Sequence, residues 1–138
     1  MTVLILDDDL GFLFWLAKSL EPSGYGVVPA DTVSQANQLI RRLKLSIDLL
    51  IVNPTIDGAA AFCATLRRRK PGLRIIALGE AGPRSAAGIR ADAFHSRPDL
   101  TAVTDPEQSP DEEASRLEWT RFVRQVLGKT NVAGSRSQ

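Results

Sequence analysis

Two short apolar runs, each ending in polar side chains, constrain this chain most. Val3-Leu4-Ile5-Leu6 leads into Asp7-Asp8-Asp9, and Leu49-Leu50-Ile51-Val52 leads into Asn53. Neither run alternates polar with apolar residues. Uninterrupted runs of this length suit strands buried on both faces, as in a parallel sheet covered by helices on each side. Ligands and chemistry in open parallel sheets sit at the carboxyl ends of the strands. The acidic cluster and Asn53 therefore belong to one site.

The intervening segments supply the covering helices. Leu10–Leu20 reads as a first helix, stopped by Pro22 and Gly24, and Gly26–Ala30 as a second strand. Ser34–Leu43 places Ala36, Leu39, Ile40 and Leu43 at helical spacing, and Ile47–Val52 is the third strand. Ala59–Lys70 is a third helix ended by Pro71-Gly72, and Leu73–Leu78 is the fourth strand. The segment 82–90 holds at most a short helix, Ala93–His95 is a brief fifth strand, and 98–111 reads as a long loop. Glu112–Leu127 sets Trp119, Phe122, Val123, Val126 and Leu127 on one face of a last helix. A single domain over 1–128 with a loose tail over 129–138 is expected. Strands alternating with helices imply an α/β, doubly wound sheet with right-handed crossovers.

Composition narrows the function classes. The 17 Lys and Arg nearly balance the 16 Asp and Glu, so no global charge points to nucleic acid or to an anionic membrane. One cysteine, Cys63, permits no internal disulfide and fits a reducing compartment. Its place inside a helix favours a buried structural thiol. The first apolar stretch lacks a basic flank and is broken by three aspartates, unlike a signal peptide or a membrane span. A cytoplasmic protein is expected. His95 is the only histidine, so no two-histidine metal site can form, and no glycine-rich phosphate loop is present.

Leu4-Ile5-Leu6-Asp7-Asp8-Asp9, Leu20-x-x-x-Gly24-Tyr25-x-Val27, Asp48 to Asn53, Asp57-Gly58, and Ala91 to Pro98 stand in a telling order. Together they resemble the receiver domain of two-component response regulators. The resemblance covers about positions 2–98 and extends to the last helix. It implies a five-stranded parallel sheet in order 2-1-3-4-5 and a role in signal transduction, with no enzymatic output.

The departures from that family are concentrated at the site. Asn53 stands where the resemblance places the phosphoacceptor aspartate, Gly79 where it places a switch Ser or Thr, and Arg97 where it places a lysine. Asp7 and Asp8 are the expected Mg2+ ligands, since hard cations take carboxylate oxygens. The loss of a carboxylate at 53 makes that metal site vestigial, and no tightly bound cofactor is expected. An amide oxygen is neutral and cannot serve as the anionic nucleophile of phosphoryl transfer. Asp57 suits a cap of the third helix better than a substitute acceptor. Gly79 lacks the triggering hydroxyl that would act on an aromatic near Phe94 or His95. Arg97 either pairs with Asp8 in the vacant pocket or lies exposed beside Pro98.

The chain is thus expected to be a degenerate receiver acting by protein–protein contact, independent of phosphorylation. An atypical receiver phosphorylated on Asp8 or Asp57 is one rival, and an enzyme of flavodoxin-like fold is another. The first helix is apolar nearly all round. The family register puts Phe12, Trp15, Leu16 and Leu20 inward, leaving Leu10, Leu13, Phe14 and Ala17 as an outward stripe. Such a stripe marks a contact, either with a histidine kinase or other signalling protein or within a homodimer. Burial under the 98–111 loop is the alternative. Arg67-Arg68-Arg69-Lys70 reads as a solvated helix end complementing the helix dipole. It lacks the aromatic interleaving of a nucleic-acid surface, and neither nucleic acid nor membrane is expected as a partner.

Overall fold

A computed structural model describes residues 1–79, 89–96 and 110–135. Five parallel strands form one sheet in order β2-β1-β3-β4-β5. They are β1 (Thr2–Leu6), β2 (Gly26–Ala30), β3 (Leu49–Val52), β4 (Arg74–Leu78) and β5 (Ala93–His95). The helices are α1 (Leu10–Leu20), α2 (Val33–Leu43), α3 (Ala59–Arg69) and α4 (Pro110–Ser135). The expected topology is therefore the observed one. Pro29 sits in β2 without disturbing the sheet because β2 is an edge strand, bonded only to β1.

Alternation along each strand splits the core in two. Val3, Ile5, Leu49, Ile51, Ile76 and Leu78 face α1 and α4. Leu4, Leu6, Leu50, Val52, Ile75 and Ala77 face α2 and α3. Residues two apart share a face, so one continuous apolar run serves both layers. Residues 3–6 and 49–52 are fully buried, which the runs foretold. Helix starts follow the local chemistry. The Asp9 carboxylate accepts from the Phe12 N–H at 3.2 Å to cap α1. Thr32 Oγ1 accepts from the Gln35 N–H at 3.0 Å to cap α2, while Gln35 Oε1 accepts from the Asp31 N–H at 2.8 Å.

The register of α1 differs from the expectation. Leu13 and Ala17 are buried, leaving Leu10 and Phe14 exposed. Leu13 and Ala17 join the cluster that holds Trp119, Val123, Val126 and Leu127. The reason is the position of α4, which lies beside α1 on the same face of the sheet and covers that flank. The exposed stripe is thus two residues wide, not four.

Two further boundaries move. Helix α4 begins at Pro110 rather than Glu112, with proline at the first helical position, where its missing N–H is no loss. It continues to Ser135, so 129–135 is helical backbone and not the loose tail read from composition. Once tertiary packing nucleates a helix, each added residue costs little, even across Gly128. The start of α3 also departs from expectation. Its N-cap is Gly58 at φ 80°, with no side-chain capping bond, and Asp57 is exposed beside it. Glycine makes that left-handed turn without a Cβ clash, so the carboxylate is not needed as a cap. The short helix over 82–90 and the loop over 98–111 fall mostly outside the described residues.

Cys63 is 2% exposed in the α3 layer. Burial pushes its thiol up to about 11, only partly offset by the charge of Arg67. The thiolate is the nucleophile. Native protein at pH 8 should therefore react with iodoacetamide at least about a hundredfold more slowly than urea-unfolded protein. Comparable rates would place Cys63 at the surface.

Candidate functional site

The site forms where β1 and β3 end side by side. Their register pairs Leu6 with Val52, so Asp7 and Asn53 come next on adjacent strands. The Asn53 N–H donates to the Leu6 carbonyl at 2.8 Å, and the Asp7 N–H donates to the Ala30 carbonyl at 3.1 Å. Both ladders therefore run one residue beyond the strands and fix these two backbones. The side chains then meet: Asn53 Nδ2 donates to Asp7 Oδ1 at 3.0 Å, with Asp7 fully buried and Asn53 7% exposed.

The other end of the amide is also engaged. Asn53 Oδ1 accepts from the Thr55 N–H at 3.0 Å and from Thr55 Oγ1 at 2.8 Å. This is an Asx turn, the local bond that asparagine makes to the backbone two residues on. Exchanging the amide N and O would face two acceptors at Asp7 and two donors at Thr55, so the orientation is dictated by its partners. Asp7 Oδ1 accepts a further bond from the Asp9 N–H at 3.1 Å. Thr55 as the residue holding Asn53 was not foreseen from the sequence.

These residues do not fit Mg2+. The amide presents hydrogens toward Asp7, and its oxygen already accepts two hydrogen bonds. Asp8, the other expected ligand, points to solvent and has no hydrogen-bond or ion-pair partner among the described residues. No group of three or more His, Cys, Asp or Glu among the described residues is arranged to hold a metal. The physical reason lies in charge: a neutral amide in place of a carboxylate removes one negative charge and turns N–H donors, not a lone pair, toward Asp7.

The remaining site positions divide. Gly79 donates its N–H to the His95 carbonyl at 2.9 Å, which closes the β4–β5 ladder. Its φ is 124°, and a Cβ built there would meet no heavy atom within 4 Å. Space exists for a side chain, but the backbone conformation disfavours any residue except glycine. A hydroxyl could be restored at 79 only by moving the backbone. Arg97 lies outside the described residues. Asp57 stays exposed, without a hydrogen-bond or ion-pair partner among them.

His95 is the aromatic of β5 that packs against α4. Its ring lies 4.2 Å from Trp119 and 4.6 Å from Phe122, centroid to centroid. Nδ1 donates to the Ser96 carbonyl at 2.8 Å, and Nε2 lies 3.2 Å from a Glu118 carboxylate oxygen. Both ring nitrogens are thus engaged, and the ring packs against two aromatic side chains of α4. Sequence could place an aromatic near 94 or 95, but not its contacts across to α4. Also unforeseen is Arg67, which donates to the carbonyls of Arg90 and Leu73 and to Asp92 at 2.7 Å. It pins the end of α3 to the segment entering β5 and is not a freely solvated cation.

No family profile and no curated protein matches the chain. Solved structures do. A response regulator of Chloroflexus aurantiacus is similar at 26% identity, with 92% of this chain and 97% of that one aligned at a TM-score of 0.64. A Thermotoga maritima response regulator aligns over 92% and 97% of the two chains at 16% identity and a TM-score of 0.68. The Thermotoga maritima protein TrrA, solved in complex with Mg2+ and BeF, aligns over 86% and 97% at 18% identity and a TM-score of 0.57. No helix among the described residues is long and apolar enough to cross a membrane.

Proposed function

For a chain that is a response-regulator receiver domain in fold and topology, we propose a phosphorylation-silent role in two-component signalling. It presents one fixed surface to a protein partner, a histidine kinase or another signalling protein, and it performs no catalysis. The observation that carries this reading is the 3.0 Å bond from Asn53 Nδ2 to Asp7 Oδ1. A neutral donor there satisfies the buried carboxylate that would otherwise require a cation. With Thr55 holding the other end of the amide, the loop after β3 has its bonds filled without a phosphoryl group. Gly79 offers no hydroxyl to bind one. His95 packs against Trp119 and Phe122, contacts that support a fixed position for its ring.

Intact mass spectrometry after incubation with acetyl phosphate and Mg2+ tests the silent site. The expected spectrum is unchanged. A stoichiometric gain of one phosphoryl group would overturn the reading, and fragmentation would assign the adduct to Asp8 or Asp57, the two exposed carboxylates of the rival reading.

The surface offered includes Leu10 and Phe14 on α1, 51% and 58% exposed. Solvated apolar area is unfavourable by about 25 cal/mol per Å2, so a partner or a second copy gains by covering them. Phe14→Glu is expected to abolish self-association in light scattering while shifting stability by no more than about 0.5 kcal/mol, as for an exposed site. Leu13→Glu, by contrast, should unfold the domain because Leu13 is core. A wild type that stays monomeric at high concentration removes the homodimer and leaves a different protein as the partner.

A further inference from the structure

At the end of the sheet opposite Asp7 and Asn53, the C-terminal ends of α2 and α3 line a half-open cavity of about 400 Å3. Its walls are Ile40, Leu45, Ile47, Leu66 and Leu73, with Arg69 and Lys70 at the rim. We propose that this cavity binds a small amphipathic anion, an apolar chain ending in a carboxylate or phosphate. The proposal is independent of whether the Asn53 site is silent.

Size and charge both select this ligand. At about 30 Å3 per water-sized group, the volume holds on the order of a dozen non-hydrogen atoms. The walls are aliphatic, so the part that enters must be apolar. The rim carries Arg69 and Lys70, and the two helix ends that form it are basic in sequence. Arg41, Arg42 and Lys44 end α2 and follow it, and the run Arg67–Lys70 ends α3. Against these stand the carboxylates of Asp48 and Asp92 and about half a negative charge at each helix C-terminus. The positive sign prevails.

The cations are not equivalent. Arg67 is committed to Asp92 at 2.7 Å. Lys70 donates to Asp48 at 2.8 Å and to Ser46 at 3.1 Å. Burial pushes the Asp48 carboxyl up, but the Lys70 hydrogen bond, the Thr2 N–H and the nearby positive charges outweigh it, leaving a net lowering that keeps this pair ionised. Arg69 has no ion-pair or hydrogen-bond partner among the described residues and lines the mouth. It is the cation available to a ligand head group.

The test is a titration of the full chain with decanoate below its micellar concentration, followed by backbone amide NMR shifts, with decanol and butyrate as controls. Expected are saturable shifts at Ile40, Leu45, Ile47, Leu66 and Leu73, with decanol and butyrate each binding at least about tenfold more weakly. Arg69→Glu, at an exposed position, should weaken decanoate about fivefold or more. Ser46→Phe, which fills the mouth from its rim, should abolish binding, and circular dichroism should show both variants folded. Decanol binding as tightly as decanoate would overturn the proposal, as would shifts confined to another face or unchanged affinity in Arg69→Glu. Binding to anionic phospholipid vesicles without any response to decanoate would assign the basic rim to a membrane and likewise overturn it.

Discussion

Trp119→Ala is expected to remove about 3–5 kcal/mol of stability, the usual loss for a buried tryptophan truncated to alanine. Trp119 is 1% exposed and packs against Phe12 at 5.9 Å, Phe122 at 6.0 Å and His95 at 4.2 Å. It therefore ties α4 to α1 and to β5 at once. A domain of this size has about 5–15 kcal/mol in total, so the variant sits near the edge of folding. Thermal denaturation should show a fall in Tm on the order of 10–20 °C. Trp119→Phe should lose much less, because the ring contacts survive. The indole N–H is buried without a hydrogen-bond partner among the described residues, and its removal leaves nothing unsatisfied. A loss below about 1 kcal/mol in Trp119→Ala would mean that α4 does not dock on α1 as described.

Asn53→Asp has an effect as large and different in kind, because its size depends on metal. The variant replaces a donor 3.0 Å from a fully buried Asp7 oxygen with a second carboxylate. In EDTA at pH 7 the loss should be about 3–5 kcal/mol, the usual result when a buried charge loses its partner. The new carboxylate raises the proton affinity of the pair, so lowering the pH toward 5 should return part of the loss. Mg2+ should return more of it, about 2.7 kcal/mol at a hundredfold excess over Kd. Urea melts with and without Mg2+ measure this directly. Signalling competence is not expected to return, since Gly79 at φ 124° still supplies no hydroxyl. A variant as stable as the parent in EDTA would show that Asn53 and Asp7 are not in contact.

What the sequence disclosed divides by physical range. Strands β1 and β3 were legible because burial on both faces demands an unbroken apolar run, and the chain has two that end in polar groups. Adjacency of Asp7 and Asn53 followed from parallel topology alone. The partner of the amide was not legible, because its choice between Asp7 and Asp8 depends on which carboxylate turns inward at the strand end. Leu13 and Ala17 were misplaced for a related reason. A helix apolar nearly all round carries no internal marker of its outward face, and only the position of α4 decides it. Asp57-Gly58 suggested a carboxylate cap, whereas the backbone turned on glycine instead. The extent of α4 was hidden because helix ends follow propagation from a packed centre, here Trp119, Val123 and Val126, more than local composition. Cys63, a lone cysteine on an apolar helix face, was read as buried and is.

At the centre stands an exchange of an amide for a cation beside Asp7. Its most direct measurement is the melting temperature of the wild-type chain as Mg2+ is raised from EDTA to about a hundredfold above the millimolar range of weak carboxylate sites. With Asn53 Nδ2 already bonded to Asp7, no saturable rise is predicted, while Asn53→Asp under the same conditions should rise with Mg2+. A saturable, Mg2+-dependent rise in the wild type, absent with a monovalent salt of equal ionic strength, would contradict it.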